Sequence, residues 1–248
     1  MNTMIKNISL LLLTVIGLTG NAQTLLTPSK KSFDKKWIRP VNYQMTWYAQ
    51  KDTTKLEIGH VTTKISIEKS NLIIVTQVNL KNVREPWVDS TVANLKDLRP
   101  IRHTSYNRQR DMALDFGKIV TGFYNDKIKN NRTIVNDTTR SEYFDSNIYP
   151  ILIGWLPLKN NYKQDISIYD YNASSKIGVI KASIRNVSSS TYQSDKNGIR
   201  NVWVVQVSDE IGSDVNGMST YYFDKEDRKL WKQESIANGR KIMMKLVE

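Results

Sequence analysis

Histidine and cysteine, which often carry metal and nucleophile chemistry, are scarce in this chain. Only His60 and His103 are present among 248 residues, and cysteine is absent. A three-histidine metal site, a thiolate metal site and a cysteine nucleophile are therefore excluded. Neither histidine lies in a metal-ligand motif, so we interpret both as ordinary strand or surface histidines and predict no metal and no cofactor.

Hydroxyl and carboxylate chemistry is also weakly indicated. The nucleophile-elbow pattern G-x-S-x-G is absent, although the members of a Ser-His-Asp triad meet only in space and need no shared motif. Paired carboxylates could act as acid and base in a glycosidase at a suitable separation, but aspartates more often cap their own turns. The candidate groups are Asp111 with Asp115, Asp209 with Glu210, and Asp224 with Glu226 and Asp227.

Aromatic and large apolar side chains are the more suggestive set. In one predicted strand, Tyr222 alternates with Tyr221 and Phe223, so large rings lie on both faces. One face could fill a core while the other lines a ligand cavity, or both faces could simply be covered by protein. The candidate ligand-binding residues are Trp47, Phe123, Phe144, Ile148, Leu152, Trp155, Trp203, Tyr222 and Trp231.

Strand patterns from Val41 onward must position these side chains. Residues 61–68 and 72–80 alternate apolar and polar side chains, which is typical of half-buried strands. Only Lys69-Ser70-Asn71 separates the two runs, so a hairpin is predicted. Two more strands are expected at 165–171 and 176–187.

The C-terminal third predicts an antiparallel meander, because Asn-Gly pairs that favour tight hairpin turns separate several strand-like runs. In the last run, Ile242, Met244 and Leu246 are expected to face a core, while Met243 and its lysine neighbours face water. The predicted strands are 200–208, 218–223, 229–236 and 240–247, and the Asn-Gly pairs are 197–198, 216–217 and 238–239.

One segment departs from the strand pattern. Thr139 and Glu142 have the spacing of a capping box, and the apolar residues from Phe144 to Trp155 recur at helical spacing. We therefore predict a helix that packs on the sheet. Pro150 should kink or interrupt it and Pro157 should end it.

The first 22 residues have the pattern of a secretory signal. Lys6 precedes the apolar run Ile8–Leu18, and small residues lead to a predicted cleavage site between Ala22 and Gln23. The run is too short to span a membrane, and no cysteine is available for lipid attachment. We expect a soluble, periplasmic or secreted protein of a Gram-negative bacterium, with a polar lead-in at 23–40 and one β-rich domain at 41–248.

The chain is basic, with a formal net charge of +12. This charge could attract an anionic component of the cell envelope, or it could simply keep an exported protein soluble. The cations are scattered without a run of five or more, which is typical of a solvated surface. Export makes nucleic acid an unsuitable partner, and the oligomeric state is left open.

Several short motifs occur along the chain from Tyr43 to the C-terminus. They are Tyr43-Gln44-Met45-Thr46-Trp47 before Gly59, Asp97-Leu98-Arg99-Pro100-Ile101, Phe144-Asp145-Ser146, Leu156-Pro157-Leu158, and Thr220-Tyr221-Tyr222-Phe223-Asp224 with Arg228-Lys229-Leu230. Together they resemble an uncharacterised family of exported bacterial proteins, a domain of unknown function related to the LolA-like lipoprotein-carrier half-barrels. The resemblance implies a strongly curved antiparallel sheet with helix in its concave face, which encloses an apolar pocket in the ligand-binding relatives. It does not imply catalytic residues.

The fold class predicted is mainly β: a single, strongly curved antiparallel sheet, a LolA-like half-barrel, with one kinked helical segment packed on it. The function predicted is non-catalytic binding or carriage of a lipid or another apolar or amphipathic ligand between the sheet and the 144–155 segment. An envelope module that binds a protein or glycan is the alternative, and a hydrolase is the third choice.

Overall fold

The computed structural model describes residues 24–30, 32–51, 54–173, 176–211, 217–237 and 240–248. The predicted leader, its cleavage site after Ala22, and the 238–239 turn lie outside the described residues, as does Asn216 of the 216–217 turn. Within the described ranges, no helix is both long and apolar enough to cross a membrane.

In the part of the chain that the structure describes, fifteen strands form one sheet and one α-helix packs on it. Period-two alternation explains most of these strands, because it places apolar side chains on one face. The elements are β1 Val41–Lys51, β2 Thr54–Glu68, β3 Asn71–Leu80, β4 Trp87–Asn94, β5 Pro100–Tyr106, β6 Arg110–Asp115, β7 Ile119–Asp126, β8 Asn131–Thr138, β9 Phe144–Asp145, α1 Tyr149–Trp155, β10 Gln164–Tyr171, β11 Ile177–Gln193, β12 Ile199–Asp209, β13 Met218–Asp224, β14 Leu230–Ala237 and β15 Arg240–Leu246.

The strand order defines two arms. Strands β1 to β8 form the N-terminal arm and β9 to β15 the C-terminal arm, and each strand pairs with its sequence neighbour. The arms join at the centre of the sheet, where β1 pairs antiparallel with β15 and Met45 lies opposite Leu246. Among the described strands, all ladders are antiparallel except that of β9 with β10. The sheet is not closed, and β8 and β9 are its two edges.

The predicted strands of both arms are confirmed. Strands β2 and β3 are joined by a two-residue turn at Lys69-Ser70, and Val61 lies opposite Val78. The C-terminal meander has the predicted strand order from β12 to β15. A mainly β fold with one large curved sheet is therefore what the alternation patterns specify.

Curvature brings the outer ends of the two arms together. Met112 and Leu114 of the N-terminal arm belong to one apolar cluster with Tyr169 and Tyr171 of β10. The rings of Tyr124 and Tyr171 lie 5.6 Å apart between centroids. The sheet therefore curls until side chains from its two ends touch, although no ladder joins them in the described residues.

The helix differs from the prediction. It covers Tyr149–Trp155 and does not follow the capping box, so the expectation of a kinked helix beginning at Thr139 is wrong. Pro150 lies in the first turn, where the missing amide removes no helical hydrogen bond. Upstream, Phe144 lies in a short strand, and Glu142 accepts hydrogen bonds from Ser29 instead of capping the helix.

The last strand also corrects an expectation. Met243 is buried at 5% exposure, although it lies on the face that was predicted to meet water. Its cross-strand neighbours are Tyr48 and Glu234, and same-face neighbours at this spacing are close enough to cover a methionine. The outer face is therefore partly apolar at the centre of the sheet.

Part of the lead-in packs onto the sheet. Leu26 pairs with Ile166 of β10 and is buried. Short 3₁₀ turns follow at Pro28–Lys30 and Lys35–Trp37, and the amide of Asp34 donates to the carbonyl oxygen of Trp155 at 2.9 Å. The lead-in thus reaches the end of the helix and the cavity described next.

Candidate functional site

A cavity of about 690 Å³ lies between α1 and the centre of the sheet, where the two arms join. Its volume falls within the range of about 300–1,000 Å³ that small-molecule sites occupy. Most of the lining is apolar and comes from both arms, the helix and the lead-in. The apolar residues of the wall are Trp37, Val41, Tyr43, Met45, Val61, Ile65, Pro150, Ile151, Trp155, Phe223, Leu230, Trp231, Met244, Leu246 and Val247.

The wall is held by packing and by buried hydrogen bonds. Trp231 is 1% exposed, and its Nε1 donates to the Asp224 carboxylate at 2.9 Å. The Arg200 Nε donates to the same carboxylate at 2.9 Å. Burial raises the pKa of Asp224, but the hydrogen bonds from Arg200, Trp231 and the Glu226 amide together lower it overall. Burial raises the pKa of the Tyr43 phenol, partly offset by its hydrogen bond to Thr63. The buried Asp224 carboxylate therefore fixes the Trp231 indole in the cavity wall.

One end of the cavity is cationic, and we call it the arginine end: Arg39, Arg228 and Lys229. Arg228 lies in the turn between β13 and β14 with φ 62°, and its guanidinium is 5.0 Å from the Trp37 ring centroid. Its Nε and Nη1 atoms are buried and have no hydrogen-bond acceptor among the described residues. Burial lowers the pKa of Arg228, partly offset by the charges of Asp34 and Asp224.

The acidic groups near the arginine end are already engaged. Asp227 forms an ion pair with Lys229 at 3.7 Å and also accepts from the Lys229 amide. The Glu248 carboxylate, which also lines the cavity, accepts hydrogen bonds from the 194–197 turn. Asp34 pairs with Lys36 at 2.8 Å. Arg228 therefore lines the cavity, and its buried Nε and Nη1 donors have no carboxylate partner among the described residues.

Two of the nine predicted ligand-binding residues, Trp155 and Trp231, line this cavity. Phe144, Ile148 and Leu152 are fully buried in the main core, where they support the wall from behind. For these three residues the structure favours the core interpretation that the aromatic pattern left open.

The other four predicted residues lie away from the cavity wall. Trp47 is on β1 opposite Gly59, and its buried Nε1 has no acceptor in the described ranges. Tyr222 belongs to a small apolar cluster that contains Trp231. Phe123 and Trp203 instead lie under Arg132 and Lys225, which stack on their rings at 4.2 Å.

A second, polar site lies where the outer ends of the arms meet, beside a cavity of about 300 Å³. We call it the His103 cluster: Thr91, His103, Asp145, Ser146 and Asp170. The Asp145 carboxylate is 2.8 Å from His103 Nδ1 and accepts from the Thr91 hydroxyl at 2.5 Å. Because Thr91 and His103 belong to the N-terminal arm and Asp145 to β9, these bonds connect the arms.

Titration in the His103 cluster follows from burial and charge. Burial alone would lower the pKa of His103, but the Asp145 carboxylate raises it overall. Burial raises the pKa of Asp170, although the Ser146 hydroxyl donates to it at 2.7 Å. Thr91 donates to Asp145 and Ser146 to Asp170, so both hydroxyl groups of the cluster bond to carboxylates, and His103 Nδ1 pairs with Asp145. The geometry suits an ion pair between arms better than a Ser-His-Asp triad.

The carboxylate groups singled out in the sequence do not converge. Asp111 pairs with Lys127 and Asp115 with Arg102, both near the surface. Asp209 accepts from the Tyr149 hydroxyl, whereas Glu210 pairs with Lys176. Asp224, Glu226 and Asp227 form the turn that was expected, because Asp224 accepts from the Glu226 amide at 2.8 Å. Within the described ranges, no group of three histidine and carboxylate side chains is placed to hold a metal ion.

Sequence reasoning missed Arg228 and His103. Arg228 lies among charged turn residues, so nothing in its neighbours distinguishes it from a solvated surface. The partner of His103 is 42 residues away along the chain. The only available signal was the pair of motifs Phe144-Asp145-Ser146 and Arg228-Lys229-Leu230, which carry one residue of each site.

The fold and cavity define a mainly β protein with an interior apolar site beneath one large curved sheet. The chain belongs to the family described as "Protein of unknown function (DUF3108)", whose model matches residues 42–247. No curated protein and no solved structure matches the chain. The family match covers both arms, the helix and every strand that lines the cavity.

Proposed function

We propose that this protein binds an apolar or amphipathic ligand, such as a lipid, in the cavity between α1 and the sheet, without catalysing a reaction. The observation that carries the proposal is the cavity of about 690 Å³ with a mostly apolar wall. Apolar surface that lines an interior space gains free energy when a ligand removes it from water.

The position of the cavity adds support. It lies at the junction of the arms, and Ile151 and Trp155 of α1 form part of its wall. This is the arrangement that the resemblance to LolA-like carriers implies, in which helix covers a curved sheet. The alternative of an envelope interaction module has the exposed edge strand β8 in its favour, but an edge strand is a general feature of open sheets.

The proposal places the protein in the periplasm or outside the cell. Its support is the secretory pattern of residues 1–22, in which one cation precedes a short apolar run. An exported binding protein without cysteine needs no disulfide to remain folded, because its sheet buries an extensive apolar core.

Native mass spectrometry of the purified protein, followed by solvent extraction, tests the proposal. We expect a non-covalent ligand in the intact spectrum and binding of the neutral fluorescent probe N-phenyl-1-naphthylamine after the ligand is removed. Ile151→Trp should narrow the cavity and weaken probe binding. Ile134→Trp, on the exposed face of β8, is the matched control and should not change it. Equal probe binding by both variants would contradict the proposal.

A further inference from the structure

At the arginine end, two side-chain donors of Arg228 have no hydrogen-bond acceptor within the described ranges. An apolar ligand alone would leave them unpaired. The Arg228 Nε and Nη1 atoms are buried without an acceptor in the part of the chain that the structure describes. A buried guanidinium donor that lacks a hydrogen bond costs free energy, so such donors are normally paired.

Neighbouring contacts fix the Arg228 guanidinium in position. The turn that carries it is braced by Asp224, whose carbonyl oxygen accepts from the Arg228 amide at 3.1 Å. The guanidinium stacks on Trp37, another residue of the cavity wall. Arg39 approaches the same turn and donates from Nη2 to the Asp227 carbonyl oxygen at 3.1 Å. Two guanidinium groups therefore lie at one end of the apolar wall.

Charge balance at this end favours an anion. Asp227 is paired with Lys229, and Glu248 accepts hydrogen bonds from the 194–197 turn, so neither carboxylate neutralises Arg228 by a direct hydrogen bond. Asp34 and Asp224 act on Arg228 only through space, since Lys36 pairs with Asp34 and Arg200 with Asp224.

We propose that the ligand is an amphiphile with an oxyanion head, a carboxylate or a phosphate, whose head binds Arg228 while its chain lies along the apolar wall. This inference rests on the proposed function. Arginine donors suit the oxygens of a carboxylate or phosphate, and a charge-assisted bond is stronger than a neutral one. The hydrocarbon chain of the ligand lies along the apolar wall that includes Met45 and Trp231.

Displacement of N-phenyl-1-naphthylamine tests the inference with two ligands of equal chain length, sodium dodecanoate and the neutral 1-monododecanoylglycerol. The wild type should bind dodecanoate about tenfold or more tightly than the monoglyceride, as expected for a charged hydrogen bond. Arg228→Gln should remove that preference and leave monoglyceride binding within about twofold. Dodecyl phosphate should behave like dodecanoate.

Lys225→Gln is the matched control, because Lys225 lies in the same turn but stacks on Trp203 outside the cavity. It should leave both affinities unchanged, and thermal unfolding of all variants verifies that they are folded. Equal affinity of the wild type for the two ligands, or equal weakening of both by Arg228→Gln, would overturn the headgroup inference while the proposed function stands.

Two further outcomes separate the remaining possibilities. If inorganic phosphate alone displaced the probe as effectively as dodecyl phosphate, the site would bind free anions. That result would overturn the inference that the ligand is an amphiphile. Failure of the wild type to bind the probe and both dodecanoyl ligands would overturn the proposed function itself.

Discussion

The Asp145 carboxylate should be among the most costly single groups to neutralise in this fold. It is 1% exposed and accepts from Thr91 at 2.5 Å, from His103 at 2.8 Å and from the Asn147 amide at 3.1 Å. Asp145→Asn keeps the shape but removes the charge and replaces one of the two acceptor oxygens with an NH2 group, which then faces a donor. Removing one partner of a buried ion pair costs about 3–5 kcal/mol.

This cost should appear as a fall of about 6–20 °C in the midpoint of thermal unfolding, since about 1 kcal/mol corresponds to about 2–4 °C at this chain length. Urea unfolding measures the same free energy independently. Asp115→Asn is the control, because Asp115 pairs with Arg102 on the surface and such pairs contribute about 0–1 kcal/mol. Similar losses in Asp145→Asn and Asp115→Asn would refute the reasoning.

The pH dependence of the unfolding free energy provides a second, independent test. In the wild type, the pKa of His103 is raised in the folded state. The contribution of His103 to folding stability is therefore fully present below pH 6.5 and is lost as pH rises through the folded pKa. In Asp145→Asn, burial acts without the carboxylate and lowers the pKa of His103. The stability difference between the two proteins should therefore be larger at pH 5.5 than at pH 9. An equal or larger difference at pH 9 would show that the ion pair is not the cause.

Two other predictions concern the backbone and the lead-in. In urea titrations, Gly122→Ala should lose at least twice as much unfolding free energy as Gly198→Ala. The reason is that a Cβ at Gly122 would lie 2.0 Å from the Ala113 carbonyl oxygen, whereas a Cβ at Gly198 would have nothing within 4 Å. Hydrogen bonds from Ser29 and Arg99 lower the pKa of Glu142 to about 2. The contribution of Glu142 to folding stability is therefore present above about pH 4.5 and is lost as pH falls towards 2. Thermal unfolding should show that Glu142→Gln has a measurable cost of up to about 1 kcal/mol at pH 6, a small value for a partly exposed pair. The cost should be smaller at pH 2, and a cost at pH 2 equal to or larger than that at pH 6 would contradict this.

The strands could be predicted because alternation is a local property of the sequence. Residues 61–68 show it clearly, residues 72–80 repeat it with Leu72, Ile74 and Val78 buried on one face, and their hairpin is found as expected. The helix was misplaced because the capping-box pattern at Thr139 occurs in a segment that tertiary contacts hold otherwise, with Glu142 bound to Ser29 and Arg99. Local propensity therefore lost to long-range hydrogen bonds in that segment.

The cavity could be predicted only in outline. Its position between sheet and helix followed from the resemblance, and Trp155 and Trp231 were identified by their size. The sequence does not identify Tyr43 and Met45 as cavity residues, because it does not show which strands lie at the junction of the arms. Arg228 was missed because burial of a turn arginine depends on Trp37, a residue far away in the chain.

The pairing of the first strand with the last has a consequence for how the chain folds. Apart from the parallel pair of β9 and β10, each arm is a series of local hairpins. Joining Met45 to Leu246 instead closes a loop of about 200 residues, and the entropic cost of closing a loop grows with its length. We therefore expect the arms to form first and β1 to join β15 late. Since residues of both strands line the cavity, a binding-competent interior exists only after that final step, and probe binding would record the completion of folding.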